Sequence, residues 1–587
     1  MLKKISALIS TNQKIILFFI FSGNFFVTGL EFLSLASVPI IISLLINPNI
    51  TNSSIPFLQS LLEGVFINET SYKNIFIFIF FLFFFKNLFL GFVLFCEARF
   101  GFNLKTSLTN KLYKKYLEMN YLFHSNNNPG KLIRNIVLEV SYCCSTISQM
   151  LIVFREVLLI IIIIILFFLY SELVVFPVLF FFSFLLLIFF HLLKKTIKKK
   201  GQETQVRRAI INTQVNELIN GIKEIKVFNI QEIVFKKFKK IFYITEFNSF
   251  FIKAINILPK LILEMTGVTL IVAVYFIYEF LNFDPVNFLP ILSLIGVASI
   301  RAIPCISSLV VALNNIVFQS PSVHLVYRDL QIANTDENIL EEKNSFLKFR
   351  DKIELKNIRF NYPGRKKNIL NNISLTVKKG KKIGIIGSSG SGKSTIINLI
   401  LGLIKPSSGE IFIDGKKIEN LNLKNWRKQI GYVAQNAFLI DDNIKNNVAF
   451  GEKKFIDRKF KKALKKANLL KFVKSLKDKE YTSIGNNGIK VSGGQHQRIG
   501  IARALYNEPR ILILDEATSS LDYKTEAEIV KDLNLEDTNL TAIIVSHRPK
   551  AVEICDIVYY LDKGKIKDSG KYKYLSNKYK TKLINEL

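Results

Sequence analysis

KIGIIGSSGSGKSTIINLILGL, residues 382–403, decides how this chain is read. Lys382–Ile386 reads as a short buried strand. The turn that follows, Gly387 to Ser394, has the form G-x-x-x-x-G-K-S, and Thr395–Leu403 reads as an apolar helix. A strand, a glycine-rich turn and a helix in that order form a phosphate cradle. Glycines let backbone N–H groups turn inward around phosphate oxygens, and the start of the helix adds its dipole. The cradle residues are Gly387, Ser388, Ser389, Gly390, Ser391, Gly392, Lys393, Ser394 and Thr395. Lys393 neutralises β/γ-phosphate charge, and the Ser394 hydroxyl is a hard oxygen ligand for Mg²⁺.

Downstream, the apolar run Ile511–Leu514 ends in Asp515-Glu516. Asp515 is placed to hold Mg²⁺, and Glu516 to polarise an attacking water. Between the two lies Val491-Ser492-Gly493-Gly494-Gln495, followed by Gln497-Arg498 and a helix over Ile499–Leu505. Glycines and a serine at a helix start make a second phosphate nest. One nucleotide does not need two nests from one chain, so the pattern implies two copies that share the ligand.

With these motifs in hand, the chain resembles an ATP-binding cassette exporter half-transporter over nearly its full length. The resemblance implies a helical membrane domain of six spans, type I exporter-like, followed by an α/β P-loop nucleotide-binding domain, with ATP and Mg²⁺ as ligands. Ser492, Gly493, Gly494 and Gln495 match the family signature, with Val491 at its usual leucine. Tyr362 is similar to the aromatic that stacks on adenine. Gln435, in Tyr432-Val433-Ala434-Gln435-Asn436, is similar to the glutamine that senses Mg²⁺. Asp522, in Ser519-Ser520-Leu521-Asp522, matches the D-loop, and His547, in Val545-Ser546-His547-Arg548, the switch histidine on the γ-phosphate. No catalytic motif is degenerate, which implies two equivalent ATP sites in a homodimer. Gly485-Asn486-Asn487-Gly488 departs from the family, many members of which carry an acidic residue there.

Composition fits a chain of two halves. Of 587 residues half are apolar and 52 are Phe, while 79 Lys+Arg against 46 Asp+Glu leave a net charge of +33. Residues 1–320 hold the long apolar runs and read as the membrane domain, 321–350 as a linker, and 351–587 as the nucleotide-binding domain. An all-soluble enzyme, a collagen-like fibre and a disulfide scaffold are excluded. No recognition motif accompanies the basic charge, so nucleic acid is not an expected partner. The five cysteines have neither metal-site spacing nor a disulfide framework. Lys3-Lys4 precede an apolar helix without a small-residue cleavage site and read as the start of an uncleaved anchor.

A membrane span needs about 20 apolar residues. Six are expected: within 15–46, 75–102, two within 145–193 separated by a turn at Ser171-Glu172, 250–281 and 286–317. The three loops on one side (47–72, 171–172 and 279–285) contain no Lys or Arg. The opposite side carries Lys105, Lys111, Lys114, Lys115, Lys194, Lys195, Lys198, Lys199, Lys200, Arg207 and Arg208. By the positive-inside rule both termini are cytoplasmic, in a multi-pass inner-membrane protein. Helical composition continues past the bilayer at 98–145 and 194–250, with breaks at Asn126–Gly130 and Asn220-Gly221.

Charges inside spans are costly and point to function. Lys86, Lys260 and Arg301 stand against Glu31 and Glu264, a positive surplus suited to a multiply anionic cargo. The segments around Lys86, 258–267 and 299–304 are similar to the bacterial lipid-linked oligosaccharide flippase of protein N-glycosylation. That resemblance implies that Lys86, Lys260 and Arg301 handle the pyrophosphate of a polyprenyl-linked glycan. Ser308 stands where that family carries a further Arg, and Pro56–Glu63 resembles its external helix. The competing cargo reading is a general lipid, lipopolysaccharide-precursor or multidrug exporter.

Overall fold

In the computed structural model the described residues are 1–46, 72–170, 175–280, 285–332, 348–364, 367–485, 488–517, 540–546 and 548–579, with the side chains of 38–46, 72–75, 167–190, 549–550 and much of 266–299 left aside. The chain divides into two units. The first is Met1–Glu118 with His124–Ala333; the second is Asn334–Leu587 with the short segment Met119–Phe123.

The first unit is built on six long helices: α1 (Thr11–Ile46), α2 (Tyr72–Leu117), α3 (Val140–Tyr170), α4 (Val175–Asn220), α5 (Gln231–Phe280) and α6 (Pro285–Gln331). Runs of Phe, Ile and Leu favour helices here because a helix satisfies every backbone donor and acceptor within the segment, as hydrocarbon requires. Among the described residues, four stretches are long and apolar enough to cross a membrane: Thr11–Ser37, Phe76–Leu117, Pro129–Leu166 and Ile300–Gln331. The expected spans within 145–193 and at 250–281 run partly through residues outside the described ones, as do the Ser171-Glu172 turn and the Pro56–Glu63 segment. At 46 residues, α2 and α4 are each about 69 Å long at 1.5 Å per residue, against a hydrocarbon core of about 30 Å. They therefore project well beyond the bilayer. The expected breaks are present. Helices Tyr121–Asn126 and Pro129–Arg134 flank the first, and α4 ends at Asn220 before a short helix, Ile222–Val227. The segment 321–350, expected as a linker, is helical as far as Gln331, with Val323 and Val326 buried.

Close approach between α4 and α6 depends on Gly201. A Cβ there would sit 2.3 Å from the Phe318 carbonyl oxygen, and one turn away Ile197, Ile252 and Phe318 form a small buried cluster. Nearby the projecting helices are tied by a buried polar knot. Tyr116 donates to Asp329 Oδ2 at 2.6 Å, and Asn135 donates to the same oxygen at 2.9 Å. Arg134 donates through Nη2 to Asn135 Oδ1 at 2.6 Å.

The second unit carries two sheets among its described residues. β1 (Lys352–Phe360), β2 (Leu370–Lys378), β4 (Ser408–Ile413) and β5 (Lys416–Lys417) form an antiparallel sheet in the order β2-β1-β4-β5. β3 (Lys382–Gly387), β6 (Ile430–Val433), β7 (Ile511–Asp515), β8 (Thr541–Val545), β9 (Ile557–Asp562) and β10 (Lys565–Gly570) form the other, in the order β10-β9-β3-β8-β7-β6. Its inner pairings are parallel, and only β10 runs antiparallel to its neighbour. All five residues of β7 are buried. Ile511 and Ile513 enter one core with helix α7 (Lys393–Ile400), while Leu512 and Leu514 enter the other with helix α8 (Gly493–Tyr506). A strand buried on both faces reads as a continuous apolar run, which is why ILIL shows no alternation. Leu122, from the short segment grouped with this unit, rests on the α7 core.

Candidate functional site

In an open parallel sheet, ligands bind beyond the carboxyl ends of the strands. The end of β3 delivers Gly387 and Ser388, the end of β6 leads to Gln435, and the end of β7 delivers Asp515 and Glu516. The candidate residues thus meet at one edge because adjacent parallel strands end together.

The glycine-rich turn is tightly built. Gly387 has φ +152°, and a Cβ there would lie 2.1 Å from the Leu561 carbonyl oxygen on β9. Lys393 is buried, and its ammonium donates to the carbonyls of Gly387 (2.7 Å) and Ser388 (3.0 Å), so its charge sits inside the turn. The hydroxyl of Ser391, 2% exposed, has no hydrogen-bond partner among the described residues. A buried orphan hydroxyl beside a buried ammonium, at the start of α7, fits a phosphate oxygen. Helix α7 begins at Lys393, earlier than the expected Thr395, because Gly392 at φ +106° serves as its N-cap. Tyr362 packs edge-on to Phe360 with centroids 4.9 Å apart.

Asp515 is buried, and its carboxyl is pushed above the usual range by burial first and by the neighbouring Glu516 second. Lys393 and hydrogen bonds from Ser394 and Tyr432 act against that shift. The Tyr432 hydroxyl is pushed up to about 12, by burial and then by Asp515. Ser394, Asp515 and Gln435 offer hard oxygen atoms, the donor set that suits Mg²⁺, and a divalent cation would relieve the strain on the Asp515 charge. Glu516 has φ +51°, unusual for a non-glycine residue. Its N–H donates to the Val545 carbonyl at 2.9 Å, and its Oε2 accepts from Gln435 Nε2 at 2.7 Å. The structure therefore joins Gln435 directly to the candidate base. Tyr432 was not among the expected site residues. Its register beside Ile513 on β7, two residues from Asp515, is the feature that places it there.

The signature residues form their own group at the start of α8. Ser492 and Gln495 make a reciprocal capping box: Ser492 Oγ accepts from the Gln495 N–H at 3.3 Å, and Gln495 Oε1 accepts from the Ser492 N–H at 2.9 Å. The helix therefore starts at Gly493 and not at Ile499 as expected, with Ser492 and Gly493 exposed. Asp522 and His547 lie outside the described residues.

Asp515 supplies a pH test. Its folded-state pKa is raised, so protein free of metal and nucleotide loses stability as pH rises through the ordinary carboxylate range, and stays less stable above it. Asp515→Asn removes that term. Melted in chelator, the variant is expected to match the parent at low pH and exceed it at neutral pH. A parent that melts higher at neutral pH would contradict the assignment.

In the helical unit the charges pair differently from the sequence reading. Glu31, 6% exposed at its side chain, lies 2.8 Å from Lys86 and 2.9 Å from Arg301. Lys260 lies 3.7 Å from Glu264 one turn along α5. The expected surplus of cations over acids is corrected by a second layer. Arg155 on α3 lies 3.5 Å from Glu97 and 3.3 Å from Glu156, and Ser308 donates to Glu156 at 3.2 Å. Glu97, Arg155 and Glu156 lie outside the sequence count of span charges, although the rule that singles out charges in apolar helices covers them equally. Lys86 is fully buried, so of the three expected cargo cations only Lys260 and Arg301 are exposed. A cleft of about 520 Å³ is lined by Lys260, Glu264, Ile300, Ile303, Pro304 and Ser308, among others.

The sequence pattern of the family described as ABC transporter matches residues 370–519, and that of the ABC transporter transmembrane region matches residues 10–284. Together they cover more than two thirds of the chain. The ATP-dependent lipid A-core flippase of Pseudoalteromonas translucida is 41% identical over 227 residues, 38% of this chain and 39% of that protein. The heterocyst differentiation ATP-binding protein HepA of Nostoc sp. is 30% identical over 394 residues, 65% of this chain and 62% of that protein. The chain matches about 40% of the length of the lipid A-core flippases it is similar to. Among solved structures, a bacterial Atm1-family ABC exporter with ATP bound shares the fold, with a TM-score of 0.78 at 20% identity over 96% of this chain and 98% of that one.

Proposed function

Because the chain belongs to the ABC transporter family, with the transmembrane region and the ATP-binding half of an exporter half-transporter, we propose that it works as a homodimer that couples ATP hydrolysis to moving a phosphorylated lipid across the inner membrane. The observation that carries this reading is the convergence of Lys393, Ser394, Asp515, Gln435 and Glu516 at one sheet edge, in a chain that also carries six long helices. In each copy the turn 387–395 holds the phosphates, Glu516 takes the proton from the attacking water, and His547 faces the γ-phosphate. Ser492–Gln495 and Asp522 complete the site of the other copy, and Tyr362 stacks on adenine. Mg²⁺, held by Ser394, Asp515 and Gln435, supplies charge neutralisation on the phosphates. Both termini are cytoplasmic.

For the cargo we favour a polyprenyl-pyrophosphate glycan, on the strength of Lys260, which lines the cleft, and of the exposed cation Arg301. A lipid A-type or broader amphiphile is the second reading, favoured by the flippase relatives. The decisive experiment is translocation in proteoliposomes, with polyprenyl-pyrophosphate glycan and lipid A as separate probes and ATP as the variable. Lys260→Ala with Arg301→Ala is expected to slow translocation by about tenfold or more, the scale of a lost charge-assisted contact, and to slow ATP hydrolysis less. Equal loss of both activities would assign these residues to folding. Stimulation of hydrolysis by many unrelated drugs would favour the broader exporter.

A further inference from the structure

One buried carboxylate serves two cations from two other helices. Glu31 on α1 directs Oε2 to Lys86 Nζ on α2 and Oε1 to Arg301 Nε on α6. The two cations differ in access. The Lys86 side chain is 0% exposed and that of Arg301 is 47% exposed. Lys86 meets Glu31 as an ion pair off the hydrogen-bond direction, with its ammonium 4.7 Å from the Phe83 ring centre. It is closed to any ligand. Arg301 meets Glu31 as an ion pair at Nε, and its side chain, which ends in two NH₂ groups, is nearly half exposed. Those two groups are the part of a guanidinium that grips a phosphate. The triad itself carries two positive charges and one negative, a surplus balanced only by the neighbouring Glu97, Arg155 and Glu156, so the local attraction for an anion is carried by the exposed guanidinium of Arg301.

We propose that Glu31 is a positioning residue: it fixes Arg301 with its terminal NH₂ groups presented to the phosphate of an anionic lipid. Lys86 supplies the buried counter-charge that keeps the carboxylate inside the bundle and makes no contact with cargo. The proposal rests on the reading of the cargo as a phosphorylated lipid. Its physical content is preorganisation. A free arginine must give up the rotamer freedom of a long side chain on binding, and one already held at Nε has less to give up.

The test uses the full-length protein in proteoliposomes, with ATP hydrolysis followed against polyprenyl-pyrophosphate glycan, lipid A and uncharged polyprenol. Glu31→Gln alone leaves Lys86 uncompensated, so the informative variant is Glu31→Gln with Lys86→Met, which removes both buried charges. The half-stimulating concentration of the anionic lipid is expected to rise about tenfold or more, as for one charge-assisted contact, with a much smaller change in the maximal rate. Glu31→Asp, which keeps the carboxylate, should recover most of the affinity. In an Arg301→Ala background the double change should add nothing further. A double variant that keeps the parental half-stimulating concentration, or one whose effect persists without Arg301, overturns the role of Glu31 alone. Failure of the parent protein to respond to either anionic lipid overturns the cargo reading and this role together.

Discussion

Glu516→Gln is expected to reduce steady-state ATP hydrolysis by about two to four orders of magnitude, the range general base catalysis supplies, while ATP binding and ATP-dependent closure of two copies persist. The structure explains why the two effects should separate. The Glu516 backbone is held at φ +51° by its N–H bond to Val545 on β8, and glutamine changes neither that bond nor the backbone demand. The side chain keeps an oxygen that accepts from Gln435, so the 2.7 Å contact survives without the negative charge. What is lost is the basicity that draws a proton from water. Hydrolysis and ATP-dependent cross-linking of paired copies, measured on one preparation, check both halves of the expectation. Normal turnover in the variant would remove Glu516 from the role of base.

The same contact shows where sequence reading stops. Phosphate chemistry needs contiguous residues, so residues 387–395 and the pair 515–516 stand out as short strings, and the parallel sheet that unites them follows from their strand contexts. The link from Gln435 to Glu516 crosses 81 positions and depends on strand order, which no local pattern encodes. In the helical half the six long helices were legible, because apolar runs and lysine asymmetry are bulk properties of the chain. The pairing of charges was not. Glu31 reaches Lys86 and Arg301 only once α1, α2 and α6 are packed, and a count of charges treats Lys86 and Arg301 alike although one is sealed and the other open. Ser308 illustrates the point from the other side. A resemblance marks it as a missing arginine, and packing shows it donating to Glu156, where a guanidinium would have to share the carboxylate already paired with Arg155.

Gly387→Ala is expected to unfold the nucleotide-binding half or lower its melting temperature by many degrees, even with no nucleotide present. The added Cβ would lie 2.1 Å from the Leu561 carbonyl oxygen and 3.0 Å from its carbon. These are backbone atoms of β9, which pairs with β3 in register at Gly387 and Leu561, so the contact cannot be relieved by turning a side chain. Relief requires parting two central strands of a sheet buried on both faces. The φ of +152° adds strain for any residue with a Cβ, bringing the cost to roughly 3 kcal/mol or more. Gly390 is the internal control. It too has a positive φ, +77°, but nothing lies within 4 Å of a Cβ built there. Its alanine variant should therefore carry only the backbone penalty, about 1 kcal/mol, and melt close to the parent. Both glycines belong to the same phosphate-binding turn, so ATP affinity cannot separate a role in the sheet from one in the cradle, whereas melting without nucleotide can. Similar melting of the two variants would show that β9 yields at this point and that Gly387 serves the ligand alone.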